Sequence, residues 1–230
     1  MALRMAELNG NPYIGVFCRL IGDTVLVPLE ADEPFMKDFE EVLNVKVVNT
    51  TIGGTTLHGS LIAANSKGVI MPYFCPPEEL SAALRKADIP SVDEGLNIAA
   101  SDDPVTAWGN NLLLSEKVAL VNPDISHRSM KLIEDIMDVE PVPGTIAGVR
   151  TVGSVAALNS KGMVVHPKAS LHEIERLREL FKVDVQISTA NFGSPYLGAS
   201  MVVNDRGGVV GSRSSGVELN RIEMTLDLID

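Results

Sequence analysis

The side chains able to do chemistry in this 230-residue chain are few: two cysteines, Cys18 and Cys75, and four histidines, His58, His127, His166 and His172. A nucleophilic thiol needs a lowered acidity constant and an acid or base within hydrogen-bond reach. Cys18 stands among Phe17 and Leu20, where burial would raise the thiol's acidity constant. Cys75 precedes Pro76 at the entry to a helix, a place that can activate a thiol, and is the better placed of the two. Neither has a paired or metal-ligand spacing, so both read as buried free thiols of a reducing compartment. His166 precedes Pro167 at a strand end, His172 lies in the first turn of a helix, His127 is near another helix start, and His58 precedes Gly59. These spacings match no metal-ligand pattern, so structural or exposed roles are expected. Neither a metal nor a cofactor is expected.

Three Asn-x-x-Gly segments, Asn65–Gly68, Asn159–Gly162 and Asn204–Gly207, invite a phosphate-cradle reading. They lead from strand to strand, whereas a P-loop leads from strand to helix, so Asn and Gly read as residues the turn backbone demands. The turns belong to a repeat. GSVAALNSKGMVVHP, Gly153 to Pro167, restates GSLIAANSKGVIMP, Gly59 to Pro72, and weaker copies begin at Gly15, Gly109 and Gly198. The leading glycines are thus spaced by 44, 50, 44 and 45 residues.

Each copy opens with two apolar strands around a tight turn, followed by a helix and a further strand. In the first, Asp32 can cap a helix with Pro34 in its first turn, and Phe35, Phe39, Val42 and Leu43 make its apolar face. Its hairpin strands are expected at about Tyr13–Arg19 and Thr24–Pro28, with Val45 and Val47 in the following strand. In the second, Pro76 and Pro77 open a helix with Leu80, Ala83, Leu84 and Ala87 inward, and Pro90 ends it. The third has a cap at Asp124 or Ser126, a face of Met130, Ile133, Ile136 and Met137, and a strand carrying Pro141 that should lie at an edge. In the fourth, Ser170 and Glu173 form a capping box ahead of the stripe Leu171, Ile174, Leu177, Phe181. The fifth departs: SRSSGVELN predicts no more than about one helical turn, after which Ile222, Met224, Leu226 and Leu228 alternate as a closing strand.

A unit of this size cannot bury its own faces, and 45% apolar content supplies a core only when units lean on one another. The helix excludes a WD-type propeller, and neither terminus resembles the polar cap of a solenoid. The reading is therefore a single α/β domain over residues 1–230, closed as a five-bladed ring of strand-strand-helix-strand units with helices outside. Approximate unit limits are 13–56, 57–106, 107–150, 151–195 and 196–230. A net charge of -11 repels polyphosphate, which argues against generic nucleic-acid coating and against a DNA partner. With no apolar leader and no membrane-length apolar run, the expectation is a soluble, cytoplasmic protein without a membrane partner, and a monomer.

The repeats as written, TIGGTTLHGSLIAANSKGVIMP, AWGNNLLLSEKVALVNPD, TVGSVAALNSKGMVVHP and LGASMVVNDRGGVV, resemble archaeal and eukaryotic translation initiation factor six from about Pro12 to Met224. The resemblance implies a five-fold pseudosymmetric α/β propeller of the pentein type. It implies a non-enzymatic factor that docks on the intersubunit face of the large ribosomal subunit, among ribosomal proteins and with limited rRNA contact near the sarcin-ricin loop, and so keeps the small subunit from joining. Other pentein proteins resemble guanidino-modifying enzymes with a cysteine nucleophile. That alternative would rest on Cys75, and the fifth unit, where those enzymes place their nucleophile, has no cysteine.

In the family the Gly-Asn pair before the third hairpin and the C-terminal segment are associated with the ribosome-facing side. Here these are Gly109, Asn110 and Val217 to Asp230, including Val217, Leu219, Asn220, Leu226 and Asp227. Gly109 reads equally as the repeat's leading glycine. Asn110 breaks the repeat, since Ser60, Ser154 and Ala199 occupy the matching positions. Leu226 and Leu228 have a core reading as well.

Overall fold

The Asn-Ser-Lys-Gly turn folds a short inner strand back on an apolar middle strand, and every unit elaborates this hairpin. The structure, a computed structural model, describes residues 2–89 and 95–228; Pro90, expected to end the second helix, lies outside them. The inner and middle strands, paired antiparallel, are Arg19–Ile21 with Thr24–Pro28, Ala63–Ala64 with Gly68–Pro72, Leu112–Leu114 with Val118–Val121, Ala156–Leu158 with Gly162–Val165, and Met201–Val203 with Gly208–Gly211. A helix then crosses over to an outer strand parallel to the middle one, at Lys46–Thr50, Asn97–Ser101, Glu140–Pro143 and Asp184–Ile187 in the first four units. The strand with Pro141 lies at a sheet edge, as its missing N–H requires. The expected first strand, Tyr13–Arg19, is instead a helical turn, Ile14–Phe17, ahead of the strand Arg19–Ile21.

The helices are Glu33–Leu43, Pro77–Lys86, His127–Met137, Leu171–Phe181 and Gly216–Thr225. Their N-caps follow the sequence: Asp32 accepts from Phe35 N–H, Ser126 accepts from Ser129 N–H, and Ser170 with Glu173 completes a capping box. Asp124, the other candidate cap, pairs with Arg150 instead. Leu171 falls outside its expected stripe, 80% exposed at the first helical position, while Ile174, Leu177 and Phe181 are buried.

The fifth unit corrects the sequence reading most. Its Gly216–Thr225 segment is a helix of 10 residues with a second capping box, Ser215 with Glu218, and no closing strand follows among the described residues. The inward residues Leu219, Ile222 and Leu226 keep helical spacing, whereas Met224, which strict alternation would place beside them, is 65% exposed. The outer strand of the fifth sheet comes from the other end of the chain: Leu3–Ala6 pairs in parallel with Gly208–Gly211.

No unit owns a core. Middle strands are buried on both faces and alternate between two clusters: Val25 and Val27 pack with fifth-unit Val202 and Val209, while Leu26 packs with second-unit Val69 and Met71. The same division recurs between units two and three, three and four, and four and five. The five clusters therefore occupy the five seams between neighbours, with helices lying across these seams and not merely outside the sheets.

The leading glycines set how closely the units approach. A β-carbon on Gly15, Gly59, Gly109, Gly153 or Gly198 would come within 2.1, 1.8, 2.0, 2.2 and 1.9 Å, respectively, of the carbonyl oxygen of Gly198, Gly15, Gly59, Gly109 or Gly153. This chain of contacts returns to its starting point, which makes the arrangement five-fold pseudosymmetric.

Turn asparagines fasten three of the five seams at the opposite end. Asn159 Oδ1 accepts from the N–H groups of Lys161 and Gly162 at 3.0 and 2.9 Å, while its Nδ2 donates to the Leu226 carbonyl at 2.9 Å. Asn65 bonds the Met137 carbonyl and Asn204 the Leu43 carbonyl in the same way, each at 2.9 Å. In each case the acceptor ends the helix of the next unit, where carbonyls lack intrahelical partners. Asn159→Ala leaves buried donors and acceptors unpaired on two units and should cost about 2 kcal/mol or more. Urea unfolding measures this, and an unchanged midpoint would reduce the asparagine to a turn former.

Candidate functional site

At the end of the sheets where the middle strands terminate, each short helical turn is preceded by a connection whose backbone N–H groups need partners. Three of these are two-residue turns closed by a bridge: Leu8 with Asn11, Ile52 with Thr55, and Ile146 with Val149. Their central residues, Asn9-Gly10, Gly53-Gly54 and Ala147-Gly148, all have positive φ. Carboxylates on the following helix clasp two of them: Glu79 accepts from Gly53 N–H and Glu173 from Ala147 N–H, both at 2.7 Å. Ahead of the third unit the polarity reverses, and Asp103 in the connection accepts from Ser126 N–H and Oγ–H at 3.1 and 2.7 Å.

The turn leading into the fifth unit is different. Its bridge joins Ala190 to Ser194 and encloses three residues, Asn191, Phe192 and Gly193, at φ values of 49°, 62° and 94°. A bulky side chain in the left-handed region costs about 1–2 kcal/mol. The surroundings impose it: Glu218 accepts from the N–H groups of Phe192 and Gly193 at 3.2 and 2.8 Å and from Thr189 Oγ1–H at 2.7 Å. Asn191 N–H donates to Ser214 Oγ, and its Nδ2 reaches the Pro12 carbonyl at 3.0 Å. Thus fixed, the turn holds Phe192 86% exposed, with Tyr196 49% and Val217 73% exposed close by in the chain and at the clasping helix.

The expected site residues divide between the two ends of the fold. Asn110 lies half-buried in the helical turn Trp108–Asn111, at the end that carries Phe192. Its neighbour Asn111 is structural: Nδ2 donates to the Ala107 carbonyl and Oδ1 accepts from Asn122 Nδ2, both at 2.7 Å. Gly109 is buried against Gly59, so its side-chain-free state is a packing requirement. Along the last helix Val217 and Asn220 face solvent, and Leu219 is half-buried against the seam.

Leu226 is a correction, and Asp227 stands apart from the other expected contacts. Leu226 is 0% exposed in the seam between units four and five, so it cannot meet a partner. Asp227 sits past the helix C-terminus at the hairpin-turn end, where its carbonyl accepts from Lys161 Nζ at 2.9 Å and its carboxylate lies 3.5 Å away. Phe192 and Tyr196 were not among the expected residues. A signal for them exists in the glycine spacings, since 44 recurs and the interval into the fifth unit is 45.

Both cysteines and His58 are buried. Cys75 is buried with Sγ 4.0 Å from the Ile52 carbonyl, and burial, reinforced by the Glu79 charge, pushes its thiol up to about 11. Burial alone pushes the Cys18 thiol up further. His58 is fully buried with Nδ1 against the Phe17 carbonyl at 3.1 Å, and burial pulls it down to about 4, so it is neutral near pH 7. Among the described residues no group of three His, Cys, Asp or Glu side chains could hold a metal ion, and no helix is long and apolar enough to cross a membrane. A recess of about 610 Å³ at the hairpin-turn end is lined in part by Asp23, Glu40, Lys46, Ser66 and Arg206 and contains neither cysteine nor histidine.

The Glu218 clasp is proton-linked. Burial pushes its carboxyl up, but hydrogen bonds from Ser215, Gly193 and Thr189 outweigh this and hold it below the usual range; Asp103 and Glu173 behave likewise. A carboxylate whose folded value is depressed contributes stability above its unfolded value and loses it as pH falls through the folded one. Glu218→Gln should therefore lower the unfolding midpoint at pH 7 and make the acid side of the stability profile shallower. Superimposable profiles for the variant and the parent protein would show that the clasp is not charged.

Comparison with known proteins shows a match to the model of the eIF-6 family over residues 3–225. The chain is 37% identical over 226 residues to "Translation initiation factor 6" of Picrophilus torridus, covering 98% of this chain and 100% of that one. It is 36% identical over 224 residues to the protein of that name from Thermoplasma acidophilum, covering 97% and 99% of the two chains. With the Pyrococcus abyssi protein, also so named, identity is 37% over 232 residues and spans both chains fully.

Proposed function

The chain belongs to the eIF-6 family, and on that premise we propose that it is a translation initiation factor that binds the large ribosomal subunit on its intersubunit face and prevents association with the small subunit. Full-length similarity to proteins named for translation initiation is the observation that carries this reading. The finer fold expectation, a five-bladed α/β propeller of the pentein type, draws support from the cycle of glycine contacts and the five shared seams.

A rigid body of this kind acts by occupancy. It needs no cofactor and no turnover, so its strength follows affinity and residence time. A surface of net charge -11 suits a site built mainly from basic ribosomal proteins, with limited contact to rRNA near the sarcin-ricin loop. Asn110, half-buried at the sheet end where the middle strands terminate, is retained as a contact, together with the exposed Val217 and Asn220.

Cosedimentation with isolated large subunits, followed by a subunit-joining assay, tests the proposal. The protein should pellet with large subunits at moderate salt and reduce joining in proportion to occupancy. No binding to large subunits would end this reading. Asn110→Lys should weaken binding while leaving the thermal midpoint unchanged, and undiminished affinity would remove Asn110 from the contact.

A further inference from the structure

We propose that Phe192 is an aromatic anchor that seats in an apolar pocket of a basic protein on the large subunit. The proposal rests on the large-subunit reading above and names the group that would hold that contact. Phe192 occupies the one of the four bridged turns that encloses an extra residue, so the five-fold pattern neither requires nor explains it. The turn could hold its shape with glycine, the residue that favours a φ of 62°, yet it carries a bulky ring there. Backbone strain held in place by surrounding groups, at a position with no packing role, marks a functional site.

The ring is presented, not loose. Glu218 grips the N–H groups on both sides of the Phe192 α-carbon, and Asn191 is bonded on both its backbone and its side chain. An anchor fixed in this way loses little conformational freedom on docking. At 86% exposure it is the most exposed large apolar side chain among the described residues, with Tyr196 and Val217 adding apolar surface at the same turn and helix start. Large aromatic side chains that fill a desolvated pocket supply most of the energy in many interfaces. Charge selects the partner class: a body of net charge -11 is repelled by phosphate, and Phe192 neutralises none, so a cationic protein pocket complements it better than a base stack.

The test combines two substitutions with a photocrosslink, using the intact protein and purified large subunits. Phe192→Ala and Phe192→Gly should each weaken binding at least tenfold. The glycine variant should unfold at the same or a higher temperature, because it relieves the left-handed strain. With p-benzoylphenylalanine at position 192, irradiation of the complex should attach the chain to a ribosomal protein. Undiminished binding by the glycine variant, crosslinks to rRNA alone, or no crosslink from subunit-bound protein would each overturn the anchor. If the unsubstituted protein itself fails to bind large subunits, the functional reading falls with it, an outcome distinct from failure of the variants.

Discussion

The contact on which the structure depends is the approach of one backbone to another at the five leading glycines. Each lies so near the carbonyl oxygen of its counterpart in the preceding unit that a single added methyl group would overlap it. Five repeats can therefore draw together at their inner ends, and the seams that radiate from those contacts become narrow enough for apolar side chains to fill. Stability then resides between units, where all five hydrophobic clusters lie.

Polar groups secure the two ends of those seams. In three seams an asparagine at one end bridges a hairpin turn to the terminal carbonyl of the next helix, and at the other end three carboxylates, Glu79, Glu173 and Glu218, hold N–H groups of tight turns. Both devices satisfy backbone groups that the turns and helix ends leave unpaired. The seam between units one and two is built differently. Arg19 and His58 stand where the other seams have apolar pairs, and Arg19 donates to the Gly59 carbonyl while His58 meets the Phe17 carbonyl. Both groups are pulled down by burial, Arg19 to about 10 and His58 to about 4.

A repeated frame separates residues that every unit needs from those it does not. Asn159, Lys161 and Gly162 recur because every hairpin of that kind needs the turn and the clasp. Asn110 and Phe192 recur nowhere, and both lie at the sheet end where the connections enter the helical turns. The last helix runs from this end to the other, which is why Val217 keeps company with Phe192 while Asp227 is drawn to Lys161.

The repeat, the hairpins, four of the five helices and their caps were legible from the sequence because they rest on local rules: side-chain periodicity, the Ser-x-x-Glu box at Ser170, and Asn and Gly in tight turns. The same rules misread the fifth unit, where Gly216 obscured the helix although Ser215 and Glu218 spell the same box. By itself the sequence determined that five units of one design must share a core, since none is large enough to bury its own faces. Only the tertiary structure decided that the N-terminal Leu3–Ala6 completes the fifth sheet, that Leu226 is inside and Val217 outside, and that Phe192 stands clear of the surface. Those outcomes depend on which segments meet across some 200 residues of chain and on which backbone groups a distant carboxylate holds, and neither is encoded in local spacing.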